Sequence, residues 1–83
     1  MDSINDSFWL ICPNFIEVRR FSKNKSRNDK FYDYMFVDIG IVMGVHGDKA
    51  PLMKTRKEVK IEEARNEWIE LINKGWQETI PKW

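Results

Sequence analysis

The stretch KFYDYMFVDIGIVMG, residues 30–44, decides how the rest of the chain is read. Met35, Val37, Ile39, Ile41 and Met43 recur every second position, which puts them on one face of an extended strand. Asp38 and Gly40 interrupt the other face. A carboxylate in mid-strand implies that its face meets solvent, as one side of an antiparallel sheet can. A glycine beside it marks a bulge or a bend in a curved sheet. The stretch therefore predicts a strand over about 31–43, and its neighbours are read as partners of that strand.

Upstream, FWLIC at 8–12 is a short apolar run and reads as a strand, followed by the turn chemistry of Pro13-Asn14. FIEVRRF at 15–21 alternates, with Ile16 and Val18 on one side and Glu17 and Arg19 on the other. Together they predict a hairpin. SKNKSRND at 22–29 has no hydrophobic residue and reads as a loop. Downstream, HGDKAP at 46–51 reads as a turn and LMKTRKEV as a fourth strand over about 52–58. Its lysines are typical of an edge, where charge discourages wrong pairing.

From Ile61 the period becomes helical. Ile61, Ala64, Trp68, Leu71 and Ile72 form an apolar stripe over about 61–74. Glu62 and Glu63 in the first turn suit the helix dipole, although Lys60 is not a Ser, Thr or Asp cap. Gly75 is placed to end the helix in a left-handed turn, with Trp76 folding back onto Leu71. The alternating WQETI and Pro81 complete a tail that docks on the domain, Trp83 either closing the core or serving as a hook for a partner. The expectation is a single α+β domain over 7–83. It has a curved antiparallel sheet of about four strands, one C-terminal helix and a docked tail, after a disordered 1–6.

Composition narrows the function classes. The chain has 83 residues, 42% hydrophobic and 33% charged, which suits one small globular domain. Aromatics make up 13%, four of them Trp; large rings fill a small core with few residues. A single cysteine, Cys12, excludes an internal disulfide, and nothing resembles a signal peptide or a membrane span. A cytoplasmic protein is expected.

No catalytic set is visible. The one histidine, His46, sits in a turn beside Asp48, and no Gly-rich phosphate loop occurs. One His and one Cys do not make a metal site. The reading is a non-enzyme with no cofactor and no metal.

Two binding readings follow. Trp and Arg are the residue types that most often carry interface energy, so Arg20, Arg56, Trp76 and Trp83 are candidates for contacting a protein partner or a second copy. The alternative is a nucleic acid. Arg19, Arg20, Lys23, Lys25, Arg27 and Lys30 set six cations against Asp29 in residues 19–30, and phosphate contacts need such clusters. Against that stands a net charge of only +1, and Arg19 and Arg20 have cross-strand partners available in Glu17, Asp38 and Glu58.

Several motifs recur together: Trp9-Leu10, Arg19-Arg20-Phe21, Pro51-Leu52 with Arg56, and the helical set Ala64, Trp68 and Leu71. The most specific is the C-terminal Gly75-Trp76 followed by Pro81-Lys82-Trp83. In these the chain resembles a family of small proteins of unknown function from marine picocyanobacteria. The resemblance covers residues 8–83. That family carries no established activity, so it implies a source and a size but no mechanism.

Overall fold

In the computed structural model, residues 7–24 and 34–80 are described, apart from the side chain of His46. The elements in order are β1 (Ser7–Ile11), β2 (Glu17–Lys23), β3 (Tyr34–Met43), β4 (Lys49–Lys60), α1 (Ile61–Asn73) and β5 (Gln77–Thr79). They form one antiparallel sheet in the order β4-β3-β2-β1-β5, with a helix at its C-terminal side. This is an α+β fold. The first four strands are a plain meander; α1 then carries the chain back across the sheet, and β5 pairs with β1 at the far edge.

The sheet has five strands where the sequence predicts about four. The difference is the tail: Gln77–Thr79 is too short to register as a strand in sequence, but β1 offers it a free edge. The expected turn over 46–51 is also shorter. A 3-10 turn at Val45–Gly47 suffices, and β4 begins at Lys49 and continues to Lys60. β2 begins at Glu17 rather than at 15, because Phe15 and Ile16 belong to the preceding turn.

Register fixes which side chains share a face, since directly opposed residues point the same way. Leu10 faces Arg19, Phe21 faces Val37, and Met35 faces Val59. This is the face that α1 covers. Leu10, Phe21, Val37, Ala64 and Leu71 form the buried core, with Met35, Val59, Trp68 and Trp76 packed around it. Full burial of each large member is worth about 1.5–3 kcal/mol. Trp68 meets Phe21 edge-on at 5.2 Å and Phe8 at 6.4 Å, the arrangement aromatic quadrupoles prefer.

The helix does not reach the whole sheet. Ile72, placed in the apolar stripe by sequence, is 40% exposed. Ile41 and Met43 continue the β3 pattern beyond the helix and are exposed too, as is Leu52, which lies opposite Ile41. The expected irregularity at Gly40 is present. The β3–β4 register shifts between Ile39 and Gly40, and a Cβ at Gly40 would lie 2.6 Å from the Met53 sulfur.

Both helix ends are closed locally. Glu63 accepts a hydrogen bond from the Lys60 N–H at 3.4 Å, doing from the third helical position what Lys60 cannot do as a cap. At the other end the Trp76 N–H donates to the Leu71 carbonyl and the Gly75 N–H to the Ile72 carbonyl, both at 3.0 Å. With Gly75 at φ 98°, this is a Schellman ending, and it folds Trp76 back against the core.

Candidate functional site

The sheet face away from α1 carries no helix among the described residues. On it one row of side chains crosses all five strands: Thr79, Trp9, Arg20, Asp38 and Arg56. Asp38 lies at its centre and is only 2% exposed. The face is open, as the sequence expects, but the carboxylate itself is covered, because two arginines from the neighbouring strands lie over it.

Arg20 donates from Nε to Asp38 Oδ2 at 2.9 Å, and its Nη2 lies 2.7 Å from the same oxygen. Arg56 donates from Nε to Oδ1 at 2.6 Å and from Nη2 to Oδ2 at 3.1 Å. Burial pushes the Asp38 carboxyl up. The hydrogen bonds and charges of Arg56 and Arg20 outweigh it, and the pKa lies below the ordinary aspartate value. Each guanidinium also lies over a ring: Arg20 is 5.4 Å from the Trp9 centroid and Arg56 is 4.2 Å from that of Phe36. Beside the row, Asn24 donates its amide to Glu58.

Two residues further along β1 and β2, about 7 Å away at the usual strand rise, the same face becomes apolar. Ile11, Val18 and Val42, with Phe15, Ile16 and Pro51 from the turns and the start of β4, line a groove of about 670 Å³. Val18 is buried at its floor, whereas Phe15 and Ile16 on its rim are 61% and 59% exposed.

The β1–β2 turn that presents Phe15 is held together by Cys12. The Phe15 N–H donates to the Cys12 carbonyl at 2.9 Å. The Cys12 thiol donates to Asn14 Oδ1 at 2.7 Å, and its sulfur accepts from the Glu17 N–H at 3.1 Å. Cys12 is therefore a buried structural thiol. Phe15 itself has φ 59°, the left-handed region, and it is the non-glycine residue with positive φ among the described residues. An L side chain there costs roughly 1–2 kcal/mol.

A second depression of about 490 Å³ lies beside the helix, lined by Phe8, Trp68, Ile69 and neighbours. Among the described residues, no three His, Cys, Asp or Glu side chains are grouped to hold a metal ion. Nor is any helix among them long and apolar enough to cross a membrane.

A family model described as "Protein of unknown function (DUF1651)" matches residues 7–83. The chain belongs to that family. The match spans every described element, so the Arg20–Asp38–Arg56 row and the groove both lie within the DUF1651 domain. No curated protein and no solved structure matches the chain.

Four residues were singled out in sequence for a protein partner. The structure puts Arg20 and Arg56 together over Asp38. Trp76 is on the other side, half-buried at the core and capped by Arg19 at 5.2 Å. Trp83 lies outside the described residues. Of the cations singled out for nucleic acid, Arg19 is engaged by Glu17 at 3.2 Å and by Glu67 of α1 at 2.7 Å. Arg20 is engaged by Asp38, Lys23 is exposed, and Lys25, Arg27 and Lys30 lie outside the described residues.

Phe15, Ile16, Val42 and Pro51 had no signal as a site. They are separated in sequence, and only the two turns at one end of the sheet bring them together. The one available clue was a bulky residue in the position after Pro13-Asn14, where a turn of this kind favours glycine.

Proposed function

We propose that the protein is a small, non-catalytic, cytoplasmic interaction module that binds a segment of a partner protein on the open face of its sheet, at the groove rimmed by Phe15. The observation that carries this is Phe15: a large apolar side chain, more than half exposed, in a backbone conformation it disfavours. Strain of this kind persists where the surrounding structure enforces it, and it clusters at binding and active sites. A glycine would relieve the strain at little net change in stability, so folding alone does not call for a phenylalanine here. The groove behind it is partly lined by exposed apolar side chains, as docking surfaces are. A picocyanobacterial source, and the Gly75-Trp76 and Pro81-x-Trp83 pattern as a mark of that group, belong to the same reading.

The test compares the wild-type protein with Phe15→Gly, first by affinity capture and then by titration of the captured partner in purified form. The expected result is a folded variant whose affinity falls at least tenfold. Equal binding by the two proteins refutes the reading. Size-exclusion chromatography with light scattering, over a range of concentrations, reveals whether the partner is a second copy. Anisotropy with labelled single-stranded DNA separates the nucleic-acid alternative, which requires affinity that collapses with salt and survives Phe15→Gly.

A further inference from the structure

We propose that the segment taken up by this face is an extended acidic–apolar peptide, with an Asp or Glu two residues from an aliphatic or aromatic anchor, the anchor in the groove and the carboxylate on Arg20 and Arg56. The inference rests on the docking reading above and names the chemistry of its ligand.

Charge is the first argument. Two guanidiniums face one carboxylate, so the row itself carries one excess positive charge. Both arginines are partly open, with side chains 30% and 50% exposed. Asp38 uses Nε and Nη2 of each. The Nη1 groups are not engaged among the described residues and remain available to a further acceptor. A guanidinium pair oriented by a buried acceptor is well suited to a carboxylate, whose two oxygens match such a fork.

Spacing is the second argument. Val18 and Arg20 are neighbours on one face of β2, as are Gly40 and Asp38 on β3. An extended peptide lying along these strands has the same repeat of about 7 Å between residues i and i+2. A single registered segment therefore fills the groove with one residue and reaches the arginines with the next on that side. The one excess charge fits a singly charged carboxylate better than a doubly charged phosphate.

The test uses a phage-displayed library of random 12-residue peptides, panned against the full chain. Enriched sequences are expected to carry Asp or Glu two residues from a large apolar residue. The best peptide is then titrated against wild-type protein beside a twin in which the acid is replaced by its amide. The twin is expected to bind about tenfold or more weakly, the usual worth of a charge-assisted hydrogen bond. Arg56→Gln should bind both peptides alike, and Arg56→Lys should fall between. Because the twin comparison uses unaltered protein, it stands even if a variant is poorly folded. Enrichment of apolar peptides without an acid, or equal affinity for the twin, overturns the inference and leaves the groove standing. Tighter binding of a phosphorylated twin overturns the choice of carboxylate. No enrichment, or enrichment unaffected by Phe15→Gly, overturns the docking reading along with it.

Discussion

Replacing Phe15 by glycine and, separately, by alanine isolates the backbone strain at the groove rim. Both changes remove the ring, so its lost contacts cancel in the comparison. What remains is the cost of a Cβ at φ 59° against the larger unfolded-state freedom of glycine. The first is roughly 1–2 kcal/mol and the second about 0.5–1 kcal/mol. Phe15→Gly should therefore be more stable than Phe15→Ala by about 0.5–1 kcal/mol. At an ordinary negative-φ position the order is reversed. Against the wild type, Phe15→Gly should be close to neutral. The ring is already 61% exposed, so its remaining burial is worth only about 1 kcal/mol, similar to the strain relieved. The assay is urea unfolding followed by tryptophan fluorescence. With an m-value near ~1 kcal/mol/M for so small a domain, the two midpoints should differ by about half to one molar. An alanine variant as stable as the glycine variant, or more so, would refute the claim of strain. The argument that Phe15 is retained for binding would go with it.

Other expectations follow from the same geometry. Asp38→Asn removes the charge that holds both arginines. Breaking a fully buried pair costs about 3–5 kcal/mol, and discounting for the half-exposed Arg56 gives about 2–3 kcal/mol, read as a lower urea midpoint. Asp38 also sets an acid limit. Its folded pKa lies below the ordinary value, so the unfolded chain binds its proton first as pH falls. The stability it contributes is present above about pH 4 and is lost below, and a melting-temperature series from pH 6 to 2.5 should be flatter in Asp38→Asn. Gly75→Ala puts a Cβ at φ 98° and 3.2 Å from Pro13, and should lower the thermal midpoint by an amount equivalent to about 1 kcal/mol or more. Glu67→Gln weakens the link from α1 to Arg19 and to Lys57, each 2.7 Å away, and should cost about 1 kcal/mol while making stability less salt-sensitive.

Much of this architecture is written in local pattern. The period-two run of β3, the bulge at Gly40, the change to a helical period at Ile61 and the Schellman ending at Gly75 each depend on residues a few positions apart, and each is visible in sequence. Cross-strand pairing of Arg20 with Asp38 was also among the partners the sequence offered. The third member, Arg56, was not legible as part of that group, because nothing in sequence aligns β4 with β3 closely enough to put it opposite Asp38. For the same reason the burial of Asp38 is not legible: the sequence shows an open face, and only the second arginine closes over the carboxylate.

The sequence by itself determined β1 to β4 and α1 as elements, since backbone geometry and side-chain period are properties of short stretches. Tertiary structure decided the rest. Only the free edge of β1 makes a strand of Gln77–Thr79. Only the placement of α1 on the sheet leaves Ile41, Met43 and Ile72 exposed while closing over Leu10 and Phe21. And only the meeting of two turns at one end of the sheet sets Phe15, Ile16, Val42 and Pro51 around a single groove, beside two arginines whose direction is fixed by one buried carboxylate.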